Sequence, residues 1–188
     1  MNNLIPVILA AGESRRMGKP KILAELAGRR FGDLIIDNLK SAGFQRILLV
    51  LGCDYDLLHP IYSKLDLDLV RNEDFQAGPL SSLKKALNFL GDPVPIMLYP
   101  VDHPLVKVDT LIRLKEVHGE NPDLILIPTY KKEKGHPVVF GKGYFGPLLG
   151  ASLEIGAREV VWKNLEKVLT VEINDPGVVK NINRPLDL

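Results

Sequence analysis

The turn after the first apolar run of the chain is rich in glycines, arginines and lysines. The run is Ile-Pro-Val-Ile-Leu at residues 5–9, and the turn that follows contains Gly12, Arg16, Gly18 and Lys21. Small residues let backbone N–H groups approach a ligand closely, and exposed amides at a helix start attract anions. Several cations this close together would repel one another without a polyanion between them. The turn is therefore predicted to hold phosphate.

Two familiar phosphate-binding loops do not fit this turn. A P-loop has four residues between its first glycine and its Gly-Lys-Ser/Thr end. Here five residues separate Gly12 from Gly18, and Lys19 is followed by Pro20, which has no hydroxyl for a metal. The dinucleotide fingerprint also fails, because Ser14 occupies the position of its second glycine.

A second chemical candidate is Asp102, which follows the apolar run at 96–99 and lies just before Pro104. The carboxyl end of a strand in an open α/β sheet borders the crevice where ligands bind. A carboxylate aimed at nucleotide phosphates normally holds Mg²⁺, which takes one or two protein oxygens and keeps several waters. A cap on the helix predicted from Val108 is disfavoured, because Asp102 lies six residues away.

Apolar runs alternate with segments of helical period, which is typical of a mostly parallel sheet covered by helices on both faces. The runs predict strands over 6–9, 46–51, 67–70, 96–99 and 124–128, with two further candidates at 137–140 and 169–173. Helices are predicted over 21–26, 32–42, 56–64, 80–90, 108–118 and 157–165. We interpret 129–151 as a small β-excursion that carries the acceptor side of the site. Residues 1–188 are thus predicted to form a single α/β domain with a Rossmann-like sheet.

Composition restricts the class of protein further. The chain has 188 residues, of which 46% are apolar and 25% charged, as in an ordinary globular protein. A net charge of +1 disfavours nucleic acid as a partner. The single cysteine excludes a disulfide framework, and neither a secretion signal nor a membrane-spanning run is evident. These features predict a cytoplasmic protein that does not bind membranes.

The basic turn resembles a family signature. Residues 9–21, LAAGESRRMGKPK, are similar to the LAAGxSxRMGxPK signature of the MobA-like nucleotidyltransferases, above all to the MocA-like molybdenum cofactor cytidylyltransferases. Residues 72–83 resemble the family's N-x-x-W-x-x-G segment with its Ser-Leu helix start, and 101–104 its D-x-P metal motif. Residues 135–140 are similar to GHPVLF, 156–158 to GAR, and 181–188 to the NINTPEDL ending of the MobA branch.

The resemblance implies a GT-A-like nucleotidyltransferase fold, with Mg²⁺ as the cofactor. The implied catalytic residues are Arg16, Lys21 and Asp102, the first two on the triphosphate. The implied metal ligands are Asp102 and Asn183, with Asn181 as the alternative to Asn183 and an Asx turn at Asn183 as the competing interpretation. The nucleotide-binding residues are Leu9, Ala10, Ala11, Gly12, Arg16, Lys21, Asn72, Gly78 and Ser82. The acceptor-binding residues are His136 and Arg158.

The implied reaction transfers a nucleoside monophosphate from a nucleoside triphosphate to a phosphate-bearing acceptor and releases pyrophosphate. The LAAG, GHPVVF and GAR segments favour CTP, whereas Gly78-Pro79-Leu80 and the Asn-Ile-Asn ending resemble the guanylyl branch and make GTP the alternative. The family implies a molybdopterin cofactor precursor as the acceptor. The alternatives are a nucleotidyltransferase that activates another phosphorylated metabolite and a non-catalytic nucleotide-binding chaperone of the cofactor pathway.

Overall fold

The computed structural model describes residues 3–14 and 17–187. Within this part of the chain, eight strands form the central sheet and two form a separate hairpin. The sheet strands are β1 (Ile5–Ala10), β4 (Leu48–Leu51), β5 (Asp68–Arg71), β6 (Ile96–Pro100), β7 (Ile125–Tyr130), β8 (Glu133–Lys134), β9 (Val138–Phe140) and β10 (Val168–Glu172). Their order in the sheet is β10-β7-β9-β6-β1-β4-β5, with β8 paired to β7. The hairpin strands are β2 (Glu25–Leu26) and β3 (Arg29–Arg30).

The sheet is parallel around its centre and antiparallel at β9. Strand β1 pairs in parallel with β4 and β6, so that Val7 lies opposite both Leu48 and Leu98. Strand β9 runs antiparallel between β6 and β7, and β10 is parallel to β7. The carboxyl ends of β1, β4 and β6 therefore meet at one edge of the sheet. The predicted phosphate turn begins at this edge after β1, and Asp102 follows the end of β6 there.

Helices cover both faces of the sheet, as predicted. The helices are α1 (Phe31–Ser41), α2 (Tyr55–Tyr62), α3 (Pro79–Leu90), α4 (Val108–Glu120), α5 (Phe145–Gly150) and α6 (Arg158–Lys163). Because side chains alternate along a strand, Ile8 of β1 belongs to the core cluster that includes α1, α2 and α4, whereas Val7 belongs to the cluster that includes α3, α5 and α6. None of the helices in the described ranges is long and apolar enough to span a membrane.

A buried carboxylate fixes the start of α4. Asp175 is 2% exposed and accepts hydrogen bonds from the backbone N–H of Lys107 at 2.8 Å and the hydroxyl of Thr110 at 2.7 Å. It also accepts from the backbone N–H of Gly177 at 2.9 Å. Asp175 therefore ties the tail of the chain to the first turn of α4.

The predicted helix over 21–26 is wrong. Only Lys21–Leu23 forms a turn of 3₁₀ helix, after which β2 pairs with β3. The two residues of the hairpin turn, Ala27 and Gly28, have φ values of 49° and 77°, and two positive φ values suit a two-residue turn between antiparallel strands. Alanine gives no sequence signal for this conformation, so the turn was not predicted.

The predicted β-excursion at 129–151 holds only in part. Strand β9 belongs to the main sheet, and the segment also contains the unpredicted helix α5. Phe145 and Leu148 of α5 are buried in the same core cluster as α3, because packing on the sheet stabilises this short glycine-rich helix. The helix observed near the predicted 157–165 is shorter, since α6 spans Arg158–Lys163.

Candidate functional site

A cleft of about 550 Å³ opens at the carboxyl ends of β1 and β6. Most of the predicted site residues lie on its wall, although they come from five distant segments of the chain. The residues that line it are Leu9, Ala10, Ala11, Gly12, Ser14, Lys21, Phe75, Gly78, Pro79, Ser82, Leu98, Pro100, Val101, Asp102, His136 and Asn183.

The turn after β1 is held to both neighbouring strands. The carbonyl of Leu9 accepts from the backbone N–H of Val101 at 3.2 Å, and that of Ala11 accepts from Cys53 at 3.1 Å. Farther along, Ser14 has a φ of 51° and its hydroxyl oxygen accepts from the backbone N–H of Lys21 at 2.9 Å. The turn thus folds back on itself and delivers Lys21 to the cleft.

Gly52 makes the approach of this turn to β4 possible. A Cβ atom at Gly52 would lie 2.5 Å from the carbonyl oxygen of Ala11 and 2.7 Å from its Cβ atom. Both distances are shorter than van der Waals contact, so any other residue would displace the turn. Sequence reasoning missed this residue, because a lone glycine after a strand carries no motif.

Lys21, Asp102 and Asn183 converge at one point of the cleft. The ammonium of Lys21 donates a hydrogen bond to Oδ1 of Asn183 at 2.8 Å and lies 3.5 Å from Oδ2 of Asp102. The side chains of Lys21 and Asp102 are only 16% and 21% exposed. A cation thus lies beside two oxygen donors, in an environment where water screens charge only partly.

The position of Asn183 is set by the tail of the chain. The backbone N–H of Ile182 donates to the carbonyl of Asp102 at 2.7 Å, and that of Asn183 donates to the carboxylate of Asp187 at 2.8 Å. Since Asp187 closes this turn, the side-chain oxygen of Asn183 is left to accept from Lys21. The alternative residue Asn181 is exposed and is not on the cleft wall.

Asp102 is ionised at neutral pH. Burial alone would raise the pKa of its carboxyl group, but the hydrogen bond and charge of His103, together with the charge of Lys21, outweigh burial and lower it. The carboxylate is therefore available as an acceptor or a ligand for a cation.

A pair of histidine rings lies beside Asp102. Nδ1 of His103 is 2.9 Å from Oδ1 of Asp102, and the ring centroids of His103 and His136 are 4.9 Å apart. Nδ1 of His136 is buried and has no hydrogen-bond partner among the described residues. Burial, reinforced by the nearby His103, lowers the pKa of His136 to about 4, so this ring is neutral at pH 7.

Asn72 lies behind the wall of the cleft rather than on it. Its side chain is fully buried, and its amide donates to the hydroxyls of Ser81 and Ser82, both at 2.9 Å. Its oxygen accepts from the backbone N–H of Asp74 at 3.0 Å. Asn72 therefore orders the start of α3 and places Ser82 on the wall, and its direct contact with nucleotide stays a prediction.

Two other predicted residues are not part of this convergence. Arg16 lies outside the described residues. Arg158 lines a neighbouring pocket of about 310 Å³, whose wall shares Leu9, Pro79 and Leu98 with the cleft. Its Nε atom donates to the carbonyl of Ile155 at 2.7 Å. The two cavities are therefore adjacent.

Sequence reasoning missed several residues of the cleft wall. Phe75 occupies the aromatic position of the N-x-x-W-x-x-G segment, so a signal for it was present. Leu98, Pro100 and Val101 belong to an apolar strand and its end, and nothing in their types distinguishes wall residues from core residues.

The chain matches the MobA-like NTP transferase domain over residues 6–168. The bifunctional protein GlmU of Clostridioides difficile (strain 630) is 30% identical over 142 residues, which cover 74% of this chain and 30% of GlmU. The chain therefore spans about 30% of the length of the curated relatives that it matches.

Solved structures share the fold. Rv0371c of Mycobacterium tuberculosis H37Rv has a TM-score of 0.81 and 26% identity, with 98% of this chain and 95% of that chain covered. Rv0371c in complex with manganese has a TM-score of 0.74 with the same identity and coverage. Molybdopterin-guanine dinucleotide biosynthesis protein A of Archaeoglobus fulgidus has a TM-score of 0.70 at 22% identity, covering 97% and 94% of the two chains, and shares the fold.

Proposed function

The chain belongs to the MobA-like NTP transferase family, and on that premise we propose that it transfers a nucleoside monophosphate from a nucleoside triphosphate to a phosphate-bearing acceptor. An oxygen of the acceptor phosphate attacks the α-phosphorus, the bond from that phosphorus to the bridging oxygen breaks, and pyrophosphate leaves. A phosphate monoester is already an anion near neutral pH, so the attack requires no general base.

One observation carries the proposal: the meeting of Lys21, Asp102 and Asn183 in the cleft. Negative charge grows on the α-phosphate oxygens and on the departing pyrophosphate during transfer. A fixed ammonium stabilises that charge without having to reorganise when the reaction occurs. We assign this role to Lys21, and to Arg16 by family resemblance.

The oxygen donors of Asp102 and Asn183 fit Mg²⁺. Both are hard ligands, one charged and one neutral, and the described residues hold no group of three or more His, Cys, Asp and Glu side chains that could form a complete protein cage. Mg²⁺ typically keeps several waters and takes its other ligands from substrate phosphates. When bound, the metal would neutralise phosphate charge. The manganese complex of Rv0371c supports a divalent cation of the same oxygen preference.

The two adjacent cavities suit two substrates. We assign the nucleotide to the 550 Å³ cleft, against Leu9, Ala10, Ala11 and Gly12, and the acceptor to the side of His136 and Arg158. CTP is the favoured nucleotide and GTP the alternative. A molybdopterin precursor is the favoured acceptor, and the proposed location is the cytoplasm.

A second candidate acceptor is another phosphorylated metabolite. GlmU, whose name does not refer to molybdenum, is 30% identical to this chain, whereas the molybdopterin-guanine dinucleotide protein is 22% identical. A non-catalytic nucleotide-binding chaperone is disfavoured, because binding alone does not need a cation and two metal-type oxygens at the phosphates.

The test is a thermal-shift panel of CTP, GTP, ATP and UTP with Mg²⁺, followed by an assay of pyrophosphate release. A tenfold preference corresponds to about 1.4 kcal/mol of added stability and is readily measured. We expect CTP to stabilise most, and a molybdopterin precursor to trigger pyrophosphate release that Asp102→Asn abolishes. Release with other phosphorylated acceptors only would support the second candidate. An equal response to all four nucleotides, without release, would contradict a nucleotidyltransferase.

A further inference from the structure

The two oxygens of the Asp102 carboxylate have different neighbours. Oδ1 is 2.9 Å from Nδ1 of His103, whereas Oδ2 faces the ammonium of Lys21 at 3.5 Å. The last torsion of an aspartate side chain is broad, so a carboxylate without such contacts samples many orientations. A hydrogen bond to one oxygen fixes the plane of the group and thereby the direction of the other.

His103 is itself held rigidly. Its side chain is only 8% exposed and is not on the cleft wall. Its carbonyl accepts from the hydroxyl of Tyr99 at 3.1 Å, and Tyr99 is a fully buried residue of β6. On another side the ring packs against His136. A donor fixed in this way can impose its geometry on the carboxylate beside it.

The chemistry also fixes which atom donates. An ionised carboxylate has only acceptor sites, so Nδ1 of His103 carries the hydrogen. His103 thus presents one N–H to Oδ1 of Asp102.

We propose that His103 is a positioning residue for the transfer reaction: it holds Oδ1 of Asp102 so that Oδ2 points toward Lys21 and Asn183, where the metal ion would bind. The proposal rests on the proposed function, because it takes Asp102 to be the metal ligand. His103 acts only through Asp102 and does not touch the reacting atoms.

Three substitutions of His103 separate positioning from packing. His103→Leu removes the donor and keeps an apolar side chain of similar bulk. His103→Asn retains an amide N–H close to the position of Nδ1, whereas His103→Gln carries its N–H one carbon farther out. Mn²⁺ binding to the full chain is followed by electron paramagnetic resonance, and kcat and the KM for the nucleoside triphosphate are measured in parallel with the melting temperature.

Outer-shell partners of metal ligands typically contribute roughly 10–100-fold to metal affinity or activity. We expect His103→Leu and His103→Gln to weaken Mn²⁺ binding and to lower kcat within that range, with the KM changed less than about threefold. His103→Asn should restore both to within about threefold of the unsubstituted protein. An equal loss in the Asn and Gln variants, or no loss in the Leu variant, would overturn the proposal. If the Leu variant does not fold, the comparison of Asn with Gln decides.

Asp102→Asn distinguishes this failure from failure of the proposed function. If Asp102→Asn leaves Mn²⁺ binding unchanged, Asp102 is not the metal ligand and the proposed site is wrong. If Asp102→Asn weakens binding but His103→Leu does not, the site stands and the positioning role of His103 is wrong.

Discussion

Replacement of Lys21 by methionine should change the affinities for nucleotide and for metal in opposite directions. In the structure the ammonium of Lys21 lies between the oxygens of Asp102 and Asn183, which are the proposed metal ligands. The proposed reaction requires the same ammonium on the triphosphate. Lys21→Met should therefore weaken binding of the nucleoside triphosphate and strengthen binding of the metal alone.

The expected size follows from the geometry. The Lys21 ammonium and the Asp102 carboxylate are 3.5 Å apart, and two unit charges at this distance attract by about 5 kcal/mol at an effective dielectric constant of 20. A phosphate oxygen that contacts the ammonium would be attracted to a similar extent. Desolvation offsets part of this, and a hydrogen bond to a charged group contributes about 1.5–3 kcal/mol net. We therefore expect nucleotide affinity to fall by about 10–150-fold. Mn²⁺ no longer has to displace the ammonium, and it should bind about tenfold more tightly.

Calorimetry with a non-hydrolysable triphosphate and Mn²⁺ titration by electron paramagnetic resonance measure the two effects. Lys19→Met is the matched control, because Lys19 belongs to the same turn but is exposed and is not on the cleft wall. It should leave the affinity for metal alone within about threefold and reduce nucleotide affinity far less than Lys21→Met does. Weaker binding of metal alone by Lys21→Met, or unchanged nucleotide affinity, would refute the reasoning.

Three further predictions concern stability and the turn. Asp175→Ala should lower the free energy of unfolding by about 2–3 kcal/mol in urea denaturation, because the Lys107 N–H and the Thr110 hydroxyl at the start of α4 lose their acceptor. Asp175→Asn should lower it less, because the amide oxygen still accepts. Gly52→Val should reduce nucleotide affinity at least about tenfold by displacing Ala11, whereas Gly143→Ala, with open space around its Cβ position, should not. The His136 ring takes up its proton at about pH 4 when folded and near 6.5 when unfolded, so the free energy of unfolding should fall between pH 6.5 and 4. This loss in the free energy of unfolding should be at most about 3 kcal/mol. In His136→Gln the urea midpoint should depend less on pH between 6.5 and 4, because the titrating ring is absent.

The central sheet was predictable because its strands are apolar on both faces and stand out as continuous runs. The turn at Ala27 was not, since a positive φ at alanine is set by hairpin pairing and not by residue type. Helix α5 was not predicted because it forms by packing, in a segment whose glycines argue against a helix.

Family signatures predicted the candidate site better than chemistry alone could. Nothing local to Asn183 indicates that it lies beside Lys21, which is 162 positions away along the chain. Conversely, an asparagine is suited to contact a ligand, yet Asn72 is buried and its amide donates hydrogen bonds to the hydroxyls of Ser81 and Ser82. Burial of a polar residue depends on the whole fold and cannot be read from a short motif.

The tail that carries Asn183 gives the site an order of assembly. Ile182 is fully buried against Met17, Ala24 and Phe31, close to the turn after β1, and its backbone N–H donates to the carbonyl of Asp102. A ribosome makes the turn after β1 more than 160 residues before Asn183. During synthesis the turn and Asp102 are therefore made before Asn183. A nascent chain whose residues 182–183 have not yet left the ribosome lacks Asn183 and cannot bring it together with Lys21 and Asp102.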